Sequence, residues 1–109
     1  VAFGSDANPV LIDPAGIRCI AAQGNYIEID LGDRRRQVIG TLASAAGKLP
    51  ADLFVRIHRS WLVNLDHVER LSRTAARIGD RDVPVGERYA EQALSAWRQR
   101  TSAAPVRPA

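Results

Sequence analysis

A mainly β domain, its strands antiparallel and accompanied by one or two short helices, is the fold class this sequence predicts. Three observations carry that expectation. Short apolar runs follow one another at close spacing, separated by the turn-forming stretches "DPAG", "QGN", "GD" and "IGD", which is the pattern of hairpins rather than of strand-helix-strand units. Period-two alternation is plain in Tyr26–Leu31, where Tyr26, Glu28 and Asp30 oppose Ile27, Ile29 and Leu31. Helical periodicity is confined to two stretches, and no motif recurs at the ~20 to 50 residue period of a solenoid or propeller.

Taken in order, residues 1–8 are small and polar without periodicity and read as a linker or an expression remnant. The domain proper is expected over residues 9–100 and a disordered tail over 101–109. Val10–Ile12 is extended, and Asp13–Gly16 is a turn in which Pro14 presets φ. Ile17–Ala21 is a short apolar strand, Gln23–Asn25 a turn, and Tyr26–Leu31 the strand already noted. Gly32 and Asp33 turn the chain into a returning strand over Arg34–Gly40. Thr41 N-caps a short helix over Leu42–Leu49, ended by Pro50 and weakened by Gly47. Phe54–Asn64 reads as a strand, followed by a second around Val68–Ser72. Ile78–Val85 reads as a hairpin with Gly79 and Asp80 near its tip. Gly86 then caps a final helix over Glu87–Arg100, with Ala90, Leu94 and Trp97 on one stripe.

At 109 residues the chain suits one domain with a modest core. No apolar run approaches the ~20 residues that span a bilayer, so a soluble chain is expected. It starts at Val1 and holds no Met, which reads as a processed chain or a fragment of a longer one. Cys19 is the single cysteine; it cannot form an internal disulfide, and with only His58 and His67 it makes no metal cluster. In "IRCIAA" it reads as a small core residue, and its isolation favours a reducing, cytoplasmic setting. No cofactor is implied.

Charge is unevenly spread. Residues 1–53 carry five basic and six acidic side chains, residues 54–109 ten and six, and fourteen of the fifteen cations are arginine. The arginine fork suits phosphate oxygens and the guanine edge, although arginine richness also tracks base composition of a genome. The run Arg34-Arg35-Arg36 fits a solvated edge strand or a phosphate contact. Catalysis finds little support: there is no nucleophile elbow, phosphate loop or zinc-protease motif. His58 and Ser60 share a face if Phe54–Asn64 is one strand, but no acid is placed to orient the imidazole. Asp80 and Asp82 look like solvated turn residues. The chain therefore reads as a non-enzyme.

"FVRIHRSWLVN" (Phe54–Asn64) sets Arg56, His58, Arg59 and Ser60 within the most apolar segment, as if to present donors to an anionic partner. With "DPAGIRCIAAQGNYIEI" upstream and "VPVGERY" downstream, this stretch closely resembles the LytTR domain, a family of bacterial DNA-binding domains usually found at the C-terminus of response regulators. The resemblance covers about Val10 to Trp97, with Gly86 standing where the family commonly has Ser. It implies an elongated stack of antiparallel β-sheets with one or two short helices. It also implies that loops and strand ends, not a recognition helix, enter successive major grooves on one face of the DNA and bend it.

By motif, the resemblance assigns base contacts to Asn25 in "GNY", Arg59 in "RIHRS" and Arg88 in "VGERY", with Arg56, His58 and Ser60 positioning phosphates or bracing Arg59. Each residue also has a plainer explanation. Asn tolerates left-handed turns, His58 suits packing, and Arg88 can be a solvated side chain at a helix start, where the macrodipole disfavours it. The implied function is sequence-specific binding of double-stranded DNA at repeated short sites, by a dimer or tandem copies. This would serve a transcriptional regulator of a two-component system whose N-terminal receiver, sensor or membrane segment lies upstream. The competing expectation is a protein-interaction or sensory module that docks an acidic partner on the same scaffold without binding DNA. The aromatic residues are too few for RNA stacking to rank beside either.

Overall fold

The computed structural model describes residues 1–5 and 7–103, the last two by backbone alone. Its strands are β1 (Ala2–Ser5), β2 (Asn8–Leu11), β3 (Cys19–Gln23), β4 (Tyr26–Asp30), β5 (Arg35–Ile39), β6 (Phe54–His58), β7 (Trp61–Asn64), β8 (Arg70–Leu71), β9 (Ala75–Ile78) and β10 (Arg81–Pro84). Helix α1 (Leu42–Lys48) lies between β5 and β6, and α2 (Ala90–Ala103) follows β10. All pairing is antiparallel. It builds a β1-β2 hairpin, a β10-β9-β8 sheet and a central sheet of order β5-β4-β3-β7-β6.

The inner strands β3 and β7 of the central sheet are buried on both faces for most of their length, which explains why they read as continuous apolar runs, while the edge strand β5 is largely exposed. Neighbouring residues take opposite sides: Ile20, Leu62 and Phe54 join one core, whereas Cys19, Val63 and Val55 join the other. The first core is closed by Phe3 and Ile12 around the β1-β2 hairpin and by Leu42, Ala45 and Leu49 around α1. The second is closed by Ala76, Ile78 and Val83 of the small sheet and by Ala90 and Ala93 of α2. Stacking these layers gives extents of 44 × 31 × 24 Å, an elongated body.

Local chemistry sets the element ends. Thr41 Oγ1 accepts from the Ser44 N–H at 3.1 Å and starts α1. Gly79, at φ 61°, supplies the left-handed residue of the β9–β10 turn. Asn64, fully buried, donates from Nδ2 to the Ile17 carbonyl at 2.9 Å and accepts the Asp66 N–H at 2.9 Å. It belongs to the scaffold and is not a donor for a partner.

Several expectations are corrected. The described residues of the expected linker are not irregular: β1 pairs with β2, and Phe3 is buried against the first core with the Lys48 ammonium 5.7 Å from its ring centroid. Burying such a ring is worth ~1.5–3 kcal/mol, enough to hold a short hairpin down. Phe54–Asn64 is not one strand but the hairpin β6–β7, so His58 and Ser60 do not share a strand face. β3 begins at Cys19 rather than Ile17, and β8 is only two residues long. The first turn expected of the final helix, residues 87–89, is a separate turn, and residues 101–103 of the expected tail continue α2. The remaining tail, 104–109, lies outside the described residues.

Candidate nucleic-acid interface

Three turns meet at one end of the central sheet. β3 runs into Gly24–Asn25 and returns as β4; β6 runs into Arg59–Ser60 and returns as β7. Because β3 pairs with β7, with Ala21 opposite Trp61, and the Ala22 N–H donates to the Ser60 carbonyl at 2.9 Å, both turns sit at the same end. The third segment, Gly86–Tyr89, is fastened beside β6 by the Gly86 N–H, which donates to the Ile57 carbonyl at 2.8 Å. Asn25, Arg59 and Arg88, far apart in sequence, thereby form a row along this end.

In the first turn Gly24 takes the left-handed conformation at φ 62°, and no described non-glycine residue has positive φ. Turn geometry therefore does not require Asn at position 25. Its backbone carbonyl accepts from the Gly40 N–H at 3.1 Å, while its exposed side chain makes no internal hydrogen bond among the described residues.

The Arg59–Ser60 turn holds no Gly, Pro, Asn or Asp and is built by side chains instead. Arg56 Nε donates to the His58 carbonyl at 2.9 Å, and Arg56 Nη2 donates to the Arg59 carbonyl. The Ser60 N–H donates to His58 Nδ1 at 3.0 Å, which leaves Nε2 to carry the ring proton. Arg56 and His58 are thus half-buried clamps on the turn, and Ser60 closes it. Arg59 stands exposed at the tip and, among the described residues, has no ion-pair partner.

Arg88 is exposed in the turn before α2, and neither Glu87 nor any other described residue pairs with it. Tyr89 ties this segment to the β6–β7 turn, its ring centroid 6.0 Å from the Arg56 guanidinium carbon. Gly86 has a steric reason: a Cβ there would lie 3.2 Å from Tyr89 Cδ2 and 3.5 Å from His58 Cδ2. A larger residue would crowd the Tyr89 ring, whereas His58 would stay at ordinary contact distance.

The other polar cluster begins with Asp30 at the opposite end and reaches back along the sheet through Arg81 to Trp61. Asp30 accepts from Arg81 at 2.8 Å and from the Gly32 N–H at 2.8 Å, and Arg81 lies 4.9 Å from the Trp61 ring centroid. Burial alone would raise the Asp30 carboxyl, but the Gly32 N–H and then the Arg81 guanidinium outweigh it and hold its pKa below the ordinary aspartate value. Cys19 beside it is pushed up to about 12, first by burial and then by the Asp30 charge. The Arg34–Arg36 run also begins at this end, with Arg35 3.9 Å from Glu28, away from the Asn25 turn.

Beyond the expectation that Arg56, His58 and Ser60 position phosphates or brace Arg59, two features went unread in the sequence. The Arg56 clamp joins residues across a turn that has no turn signature. The cross-strand neighbours Tyr26 and Ile39, 48% and 61% exposed, leave an apolar spot beside Asn25; alternation assigns them a face but not whether that face is covered. Among the described residues, no group of three His, Cys, Asp or Glu side chains is placed to hold a metal, and no helix is long and apolar enough to cross a membrane.

Comparison with known proteins supplies the family. No curated protein matches the chain. Among solved structures, the LytTr DNA-binding domain of a methyl-accepting/DNA response regulator from Bacillus cereus superposes with a TM-score of 0.75 at 19% identity, covering 88% of this chain and 94% of that one. At that identity the likeness speaks for the fold. The family model described as the LytTr DNA-binding domain matches residues 7–97, a span that contains the whole central sheet and all three turns at its end, and by that match the chain belongs to the LytTr DNA-binding domain family.

Proposed function

We propose that this domain binds double-stranded DNA in a sequence-specific manner as the output module of a bacterial transcriptional regulator. The observation that carries the reading is the convergence of Asn25, Arg59 and Arg88, all exposed, on one end of the central sheet. At a strand spacing of ~4.8 Å the row from the Asn25 turn to the flank of β6 is roughly 15 Å long. That is close to the ~12 Å width of one major groove and well short of the ~34 Å between successive grooves on one face, so one row serves one groove and successive grooves are read by two copies. Arg59 offers a guanidinium to guanine N7 and O6, Asn25 an amide to adenine, and Arg88 a cation to a base edge or phosphate. Arg56, His58 and Ser60 hold the Arg59 turn in shape, so that little order is lost on binding.

One module of this size offers limited contact area, and two copies on repeated short sites, as a dimer or in tandem, supply the rest. A regulatory domain N-terminal to this one controls that pairing, and binding takes place in the cytoplasm. Selection of the purified domain against a random duplex pool tests the proposal, followed by anisotropy on the enriched and a scrambled duplex at two salt concentrations. A repeated short motif whose preference persists as salt rises is expected. Uniform binding that vanishes with salt would mean that only phosphates are read, and would favour a module docking an acidic protein.

A further inference from the structure

We propose that Tyr26 and Ile39 form an apolar reader for a thymine methyl group, one strand further along the same end than Asn25. The inference rests on the DNA-binding reading above and extends it to a part of the surface that the motif residues leave out.

Tyr26 and Ile39 are direct cross-strand partners in the β4–β5 ladder. Their neighbours Ile27 and Val38 face the first core, so Tyr26 and Ile39 face the other way, the side of the sheet that also carries α2. There the small sheet and α2 leave them uncovered, at 48% and 61% exposure. The pair is fixed to the Asn25 turn from both sides. Tyr26 follows Asn25 in sequence, and Ile39 precedes Gly40, whose N–H donates to the Asn25 carbonyl. On the same face Gln37 Nε2 donates to Gln23 Oε1 at 3.2 Å, and Gln23 lies directly opposite Tyr26.

A single exposed isoleucine needs no explanation. An isoleucine stacked beside a tyrosine, at the end of a row whose other members are Asn and Arg, matches one feature of a duplex. The thymine C5 methyl is the apolar group that a base pair presents in the major groove, and phosphates and sugars offer nothing comparable there. A strand spacing of ~4.8 Å separates this pair from the Asn25 turn, so it meets a base neighbouring the one that Asn25 reaches.

The test takes the duplex that the domain selects and replaces each thymine in turn by uracil, which removes the methyl and nothing else. Anisotropy is read for the unaltered chain and for Ile39→Ser and Tyr26→Ser. One replacement is expected to weaken the unaltered chain about fourfold, the worth of one buried methyl-sized group, and Ile39→Ser is expected to bind the two duplexes alike. Specific binding indifferent to every uracil replacement overturns the role of the pair while leaving the reading by the turns in place. A uracil penalty that survives in both variants overturns it as well. Loss of paired binding on adjacent sites in Ile39→Ser, without any uracil penalty, assigns the patch to contact between two copies and overturns the methyl reading. If the unaltered chain shows no sequence preference at all, the DNA-binding reading fails first and this inference falls with it.

Discussion

Replacing Arg56 by Ala separates a brace from a reader three residues away. Arg56 donates to the carbonyls of His58 and Arg59 and lies near the Tyr89 ring. A hydrogen bond from a charged donor is worth ~1.5–3 kcal/mol when it is dry, but the side chain is half-buried and water replaces part of what is lost, so about 1–2 kcal/mol in total is expected. With a urea dependence of ~1–3 kcal/mol per molar, the unfolding midpoint should drop by roughly 0.5–1 M. Re-ordering even one loosened backbone residue on binding costs ~1–2 kcal/mol, so affinity for the selected duplex should fall roughly tenfold. Arg59→Ala is the counterpart. That side chain makes no hydrogen bond or ion pair among the described residues, so its unfolding free energy should stay within ~0.5 kcal/mol of the unaltered chain, while a lost base contact of ~1–3 kcal/mol lowers specific affinity by one to two decades. Urea denaturation followed by tryptophan fluorescence, with anisotropy alongside, reads both quantities. An Arg56→Ala chain with unchanged midpoint and affinity would show that the turn does not depend on this clamp.

Asn64→Ala should cost ~2–3 kcal/mol, since it strips the Ile17 carbonyl and the Asp66 N–H of a buried partner; a midpoint shift small enough to vanish in error would refute the pinning role. The folded Asp30 carboxyl titrates below its ordinary value, so its stabilisation is complete above the unfolded aspartate pKa of about 3.9 and is lost as pH falls through the folded value. Urea midpoints between about pH 5 and the acid limit should therefore fall more steeply for the unaltered chain than for Asp30→Asn, and equal slopes would remove Asp30 as the source. The Cys19 thiol, buried and pushed up to about 12, should resist an aromatic disulfide reagent at pH 8 until urea unfolds the chain, and rapid reaction of the native protein would contradict its burial.

How much of this could be read in the sequence depended on whether a feature was local. The turns at Gly24 and Gly79 carry their own signature, because a left-handed residue is needed and glycine supplies it. α1 was legible from Thr41 and the apolar spacing behind it. The Arg59–Ser60 turn was not, since its shape comes from the Arg56 and His58 side chains rather than from the residues that turn. β1 was missed because its one informative residue, Phe3, shows its purpose only against a core assembled from later segments. The candidate residues were found through motif resemblance, whereas their convergence rests on the pairing of β3 with β7, which no window along the chain contains.

That seam between β3 and β7 makes the proposed interface a shared possession of two parts of the polypeptide. Everything up to α1 supplies Asn25, and everything from β6 onward supplies Arg59 and Arg88. A chain severed between Lys48 and Phe54 would yield two fragments, each carrying an incomplete recognition surface, and reading would return only as the fragments recombined along the seam. A ligand that grips both turns at once therefore works as a staple across it, and its binding energy adds to the cohesion of the whole domain rather than to the order of one loop. Occupied operator sites would shelter the protein from global unfolding and from the proteases that sample unfolded chains, tying its persistence to the targets it has found.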